Sequence, residues 1–148
     1  KDPRHVAPLS QRIEAARLIA RHPRIAVTGI EAALGARYSY ETVAQLRQRC
    51  PGVHFVWIMG ADNLATFHLW KRWRDIAALT PIAVVDRPGS TWATLHSPAA
   101  AVLSSYRYPE SEARAFVTAE PPAFIFLHGP RSELSSTALR AQDLKALR

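Results

Sequence analysis

The sequence predicts an α/β domain built on a mostly parallel sheet. Short apolar runs alternate with amphipathic stretches along the whole chain. One of those runs, Val53-His54-Phe55-Val56-Trp57-Ile58-Met59, is apolar on both faces, the pattern of a central parallel strand covered by helices. Turn-forming or hydroxyl-bearing residues follow the runs, and in open α/β sheets ligands collect beyond the carboxyl ends of the strands.

The elements follow in order. Ser10 is placed to cap a first helix, with Ile13, Ala16 and Ala20 recurring on one face and Pro23 ending it. Arg24-Ile25-Ala26-Val27-Thr28 reads as a short strand. Glu41 to Arg49 reads as a second helix, Val43 and Leu46 inward, closed before Pro51. After the 53–59 strand, Trp70 to Leu79 reads as a helix with Trp73, Ile76 and Ala77 facing a core. Pro81 to Val85 is the next strand, and Arg87-Pro88-Gly89 marks a turn. Residues 93–108 suit a helix without excluding other structure, and 106–120 carry no readable signal. Ala123 to Leu127 is a further strand, and Thr137 to Leu147 a terminal helix.

Composition narrows the function classes. The chain has 148 residues, enough for one domain with a core. Its hydrophobic content is 48% and its charged content 21%, ordinary for a globular protein. No apolar stretch approaches the roughly 20 residues of a membrane helix. No signal-type segment opens the chain, and the single Cys50 excludes an internal disulfide, so a cytoplasmic setting is expected. The 6 histidines are scattered without zinc-ligand spacing, so no structural metal is expected. The net charge of +7 calls for a polyanionic partner or a solvated basic surface. The arginines are spread along the chain rather than clustered with aromatics, which favours small phosphorylated ligands over nucleic acid.

The segments after the strands hold the candidate site. Gly60-Ala61-Asp62-Asn63 offers a backbone turn at Gly60, by close approach or positive φ, and a carboxylate at Asp62 that either caps a helix or binds a ribose. Arg87 is displayed by its turn. Ser135-Ser136-Thr137-Ala138-Leu139-Arg140 sets hydroxyls at a helix N-terminus, whose free N–H groups attract anions, with Arg140 in the first turn. Trp70, beside Lys71 and Arg72, is either a core residue or a half-exposed stacking platform for a flat ring.

Four segments together resemble the bacterial nicotinate-nucleotide adenylyltransferases, of the Rossmann-like nucleotidyltransferase superfamily. They are Tyr38-Ser39-Tyr40-Glu41-Thr42-Val43, then Gly60-Ala61-Asp62-Asn63-Leu64 with Trp70 beyond it, then Arg87-Pro88-Gly89, and last Ser135 to Arg140. The order and spacing are the family's, and the resemblance spans 1–148 as a single nucleotidyltransferase domain. It implies a mostly parallel sheet flanked by helices. It implies Mg²⁺-dependent adenylyl transfer from ATP to nicotinate mononucleotide, giving deamido-NAD and pyrophosphate in NAD biosynthesis. Chemistry of that kind is positioning plus neutralisation of phosphate charge.

The resemblance also implies roles. Trp70 stacks on the pyridine ring. Ser39, where the family usually has threonine, bonds the nicotinate carboxylate, helped by backbone N–H groups near Ser39 and Lys71. Asp62 binds a ribose. Ser136, Thr137 and Arg140 hold ATP phosphates, with Arg87 and Lys1 close by. No protein metal ligand is implied.

The family's first strand and its His-x-Gly-His motif, which binds the ATP phosphates and stabilises the transition state, are not among these residues. On this resemblance the chain begins about 40 residues into the family's domain. The expectation is an amino-terminally truncated or partial sequence that retains no catalytic residue of that motif. Binding sites would be kept, turnover impaired or absent, and apolar strand flanks exposed. Two alternatives stand beside this reading. One is a sister nucleotidyltransferase acting on nicotinamide mononucleotide or phosphopantetheine. The other is a non-catalytic nucleotide-binding or RNA-binding module. Neither a membrane nor nucleic acid is expected as a partner, and a homo-oligomer stays open.

Overall fold

Ile82-Ala83-Val84 and Phe124-Ile125-Phe126 have no polar side chain to turn toward water, so each run must be covered on both faces. In the computed structural model, which describes residues 7–86, 94 and 96–128, they are the two inner strands of a sheet. Its strands are β1 (Trp57–Gly60), β2 (Ile82–Val85), β3 (Arg107–Tyr108) and β4 (Phe124–Leu127). They lie in the order β1-β2-β4-β3, and every pairing is parallel. Trp57 stands opposite Ile82, Ile82 opposite Phe124, and Arg107 opposite Phe124.

Alternation along the inner strands divides the core. Ile82, Val84, Phe124 and Phe126 point to one face, where they pack with helices. Those helices are α3 (Ser39–Arg49), α4 (Ala61–Phe67), α5 (Trp73–Leu79) and α6 (Pro98–Leu103). They contribute Val43, Leu64, Phe67, Trp73, Ile76 and Leu103. Ala83 and Ile125 point to the other face, covered by Phe116 from the 3-10 turn at Ala115–Thr118. Two further helices, α1 (Leu9–Ile19) and α2 (Ile30–Ala33), precede α3 and bury no residue fully.

Several expectations hold. Val43, Trp73, Ile76 and Ala77 are core residues, and Ile13, Ala16 and Ala20 are the half-covered face of the first helix. Residues 98–103 are helical and 124–127 form a strand.

Others are corrected. Residues 24–28 form no strand: a strand is a pairing, and this segment has no ladder partner among the described residues. The 53–59 run shortens to β1 and lies at an edge of the described sheet, not at its centre. Ile58, paired with Ala83 but outside the cluster that packs on that residue, is 68% exposed, although Met59 is buried. The helix expected from Trp70 starts at Trp73, because Arg72 sits at φ 55°, left-handed, and cannot continue a right-handed helix. Ser10 caps nothing: α1 starts one residue earlier behind Pro8. The strand at Arg107–Tyr108 falls in the stretch that carried no signal. The expected turn at 87–89 and terminal helix at 137–147 lie outside the described residues.

Candidate functional site

β1 runs straight into α4. Gly60 is the last strand residue and the N-cap of the helix, with φ −75° and ψ 157°. Its backbone is extended, so the positive-φ option for this glycine is corrected; its place at the carboxyl end of β1 stands. Asp62 is exposed and lies in the first turn of α4, where a carboxylate favours the positive end of the helix dipole. Gly60 holds the cap position, so Asp62 is not the N-cap, and its carboxylate lies at the strand's carboxyl end, where ligands bind in such sheets.

α4 ends at Phe67 and a tight turn follows. The Trp70 N–H donates to the Phe67 carbonyl at 2.9 Å, and the Trp73 N–H donates to the Trp70 carbonyl at 3.2 Å. Trp70 is half-buried. Its ring meets Phe67 edge-on at 5.4 Å and Trp57 edge-on at 6.3 Å. The indole is partly buried and packs against the core.

The start of α3 lies against this turn. Tyr38 is the N-cap and Ser39, half-buried, is the first helical residue. The first N–H groups of a helix lack the usual partner four residues back, and the Ser39 hydroxyl stands beside them; the Glu41 N–H donates to the Tyr38 carbonyl at 3.0 Å. Glu41 fixes the geometry from below. Its Oε2 accepts from the Arg37 N–H at 2.8 Å and the Tyr38 N–H at 3.1 Å, and its Oε1 accepts from the Tyr40 hydroxyl at 3.1 Å. The two backbone donors hold the Glu41 carboxyl below its ordinary range, with smaller help from Tyr40 and the Lys71 charge.

Cations on aromatic faces join the two segments. The Lys71 ammonium lies 4.5 Å from the Tyr38 ring centre, and the Arg72 guanidinium lies 4.5 Å from that of Tyr40. The tyrosines stack on each other at 6.3 Å and 18°. Arg72 also donates from Nε to Asp75 Oδ2. That bond, then Tyr40, raises the Arg72 pKa above its ordinary value. Ser39, Trp70 and Lys71 are thereby brought to one region, and Asp62 stands at the opposite end of α4.

Lys1, Arg87, Ser136, Thr137 and Arg140 lie outside the described residues. Among the described residues no group of three His, Cys, Asp or Glu side chains could hold a metal ion. None of their helices is long and apolar enough to cross a membrane.

Sequence reasoning missed Tyr38, Tyr40, Arg72 and Asp75 as partners in this arrangement. The aromatics flanking Ser39 and the cations flanking Trp70 were visible, but their pairing spans some thirty residues and no local pattern announces it. It also missed a pair at the sheet's carboxyl edge. Glu110, after β3, accepts from the His128 N–H and contacts His128 Nδ1, each at 2.8 Å, just beyond β4. A cavity of about 610 Å³ lies apart from this arrangement, between α1, residues 27–32, α3 and Trp57. None of Ser39, Asp62, Trp70 or Lys71 lines it.

Comparison with known proteins agrees with the fold. Residues 1–142 match the family model described as cytidylyltransferase-like. A protein of Brucella abortus is 52% identical over 145 residues, covering 98% of this chain and 75% of its own length. One of Rhizobium meliloti is 55% identical over 141 residues, covering 95% of this chain and 75% of its own. One of Methylorubrum extorquens is 51% identical over 142 residues, covering 96% and 77%. Each is named "Probable nicotinate-nucleotide adenylyltransferase". Among solved structures, Plasmodium falciparum nicotinic acid mononucleotide adenylyltransferase complexed with APC superimposes with a TM-score of 0.60 at 13% identity. It matches over 92% of this chain and 62% of its own, a likeness of fold. The alternating α/β pattern, the parallel sheet and relatives at about half identity over nearly all of these residues lead to one statement: this chain belongs to the nicotinate-nucleotide adenylyltransferase family, within the cytidylyltransferase-like proteins.

Proposed function

We propose that this protein, a single nucleotidyltransferase domain over 1–148, serves adenylyl transfer from ATP to nicotinate mononucleotide. In that reaction the phosphate of the mononucleotide attacks the α-phosphorus of ATP. The α–β bridging bond breaks, and deamido-NAD and pyrophosphate leave. The described part of the chain supplies the pyridine nucleotide's pocket. The indole of Trp70 covers the pyridine ring. The Ser39 hydroxyl, with the N–H groups at the start of α3, binds the carboxylate, and Lys71 adds a positive charge beside it. Asp62 accepts from a ribose hydroxyl. Lys1, Arg87, Ser136, Thr137 and Arg140 are assigned to the ATP phosphates on the family pattern. ATP enters as its magnesium complex, so Mg²⁺ belongs to the substrate rather than to a protein site.

The observation that carries this reading is the packing of Lys71 on Tyr38 and of Arg72 on Tyr40, which sets a hydroxyl, helix N–H groups, an indole and a cation within one region. That set suits a flat ring bearing a carboxylate. Binding is the direct test of this pocket. Titration with nicotinate mononucleotide and with nicotinamide mononucleotide compares an acid and an amide of nearly equal shape. Hydrogen bonds to a charged group are worth about 1.5–3 kcal/mol, so the acid is expected to bind roughly 10- to 100-fold more tightly. Equal affinity for the two would remove the carboxylate assignment.

A further inference from the structure

Among the described residues, Arg72 is the non-glycine residue with a positive φ. Its φ is 55°, and it stands between the turn that carries Trp70 and Lys71 and the first residue of α5. A side-chain-bearing residue holds this conformation only when its surroundings fix it, and such residues concentrate at ligand sites. The surroundings here are specific. The guanidinium lies 4.5 Å from the Tyr40 ring centre, and its Nε donates to Asp75 in the first turn of α5. Tyr40 in turn donates to Glu41, whose other oxygen holds the Arg37 and Tyr38 N–H groups. An unbroken line of contacts therefore runs Asp75–Arg72–Tyr40–Glu41 to the backbone just before Ser39. Arg72 is exposed and Asp75 half-buried, so neither fills the core; of the line, the half-buried Tyr40 ring packs against it.

We infer that Arg72 is a positioning residue for the pyridine nucleotide: bridging Tyr40 and Asp75, it holds the Trp70–Lys71 turn at a fixed distance from the Ser39 end of α3. The guanidinium acts through its neighbours and not on the ligand. Its planar fork suits both jobs at once, one face on a ring and one edge on a carboxylate. This inference rests on the pocket proposed above.

The test is a calorimetric titration of the full chain with deamido-NAD and, separately, with ATP, with a thermal melt of every variant. The variants are Arg72→Gly, Arg72→Lys, Tyr40→Leu, Tyr40→Phe and Trp70→Ala. Glycine accepts the left-handed backbone freely, so Arg72→Gly removes the bridge without straining the turn. Arg72→Gly and Tyr40→Leu are expected to weaken deamido-NAD about threefold to tenfold with ATP affinity nearly unchanged; the melt stays nearly unchanged for Arg72→Gly and falls for Tyr40→Leu, whose ring packs on the core. Tyr40→Phe keeps the ring but loses the hydroxyl that reaches Glu41, so it and Arg72→Lys fall between native and Arg72→Gly. Arg72→Gly and Tyr40→Leu binding deamido-NAD normally, while Trp70→Ala weakens it, would overturn this inference alone. Equal losses for deamido-NAD and ATP would overturn it too, as a general loss of structure. A native chain that binds no deamido-NAD overturns the proposed function, and the inference falls with it.

Discussion

The ammonium of Lys71 rests 4.5 Å from the ring centre of Tyr38. The two residues are far apart in sequence, one in the turn after α4 and the other capping α3. Their contact sets the Ser39 segment against the Trp70 segment. An exposed cation–π contact is worth about 0.5–1 kcal/mol, too little to hold a fold but enough to bias where a turn rests.

Trp70 is the residue on which pyridine binding is expected to depend most. Stacking of a flat base on an aromatic side chain is worth about 1–3 kcal/mol. Trp70→Ala should weaken deamido-NAD by that amount, and Trp70→Phe should restore part of it. Titration of both variants checks this, provided both melt cooperatively, since the indole also packs on Phe67 and Trp57. Native affinity in a folded alanine variant rejects the stacking role.

Ser39 is expected to govern the choice of acid over amide. Ser39→Ala removes one donor to a carboxylate and leaves the helix N–H groups in place. The preference for nicotinate over nicotinamide mononucleotide should shrink by about 1.5 kcal/mol or more, while Ser39→Thr keeps it. A preference unchanged by Ser39→Ala would move the carboxylate elsewhere.

Glu41 ties stability to pH. Its folded pKa is lowered, first by the Arg37 N–H and then by the Tyr38 N–H. A lowered carboxyl contributes stability that is fully present above its unfolded value of about 4.3 and is lost as pH falls through the lower folded value. Glu110, lowered by its bonds to His128, acts in the same direction. Melts from pH 7 to pH 3 should show Glu41→Gln less stable than native near neutrality, with the gap closing toward pH 3. A gap that stays constant across that range contradicts the assignment.

Phe67 connects the core to the pocket. It is fully buried and meets Trp70 edge-on at 5.4 Å and Trp73 edge-on at 5.6 Å. Phe67→Ala should cost about 3–5 kcal/mol in stability and also loosen Trp70. Denaturant unfolding measures the first, and deamido-NAD affinity at low temperature measures the second. A loss of stability without a loss of affinity would show that Trp70 is held from its other side.

Much of this fold was legible because periodicity survives in the helices and inner strands. Trp73, Ile76 and Ala77 recur at helical spacing, and both inner strands are unbroken apolar runs. Local pattern failed where the neighbours decide the outcome. Residues 24–28 look like a strand but find no ladder among the described residues, and Ile58 looks buried but stands on an edge strand. β3 is only 2 residues long, below what any pattern can mark. The site divides in the same way. Asp62 and Trp70 stand out because motifs carry them, whereas the Tyr38–Lys71 and Tyr40–Arg72 pairs exist only once α3 has packed against α5.

The central claim is that these 148 residues hold a site for a pyridine dinucleotide. A thermal melt with increasing deamido-NAD tests it most directly, because a ligand that binds only the folded state raises the midpoint in proportion to the logarithm of its excess over Kd. A cooperative transition that climbs with deamido-NAD, and less steeply in Trp70→Ala, is the predicted result. A cooperative transition that does not move at millimolar deamido-NAD would contradict it.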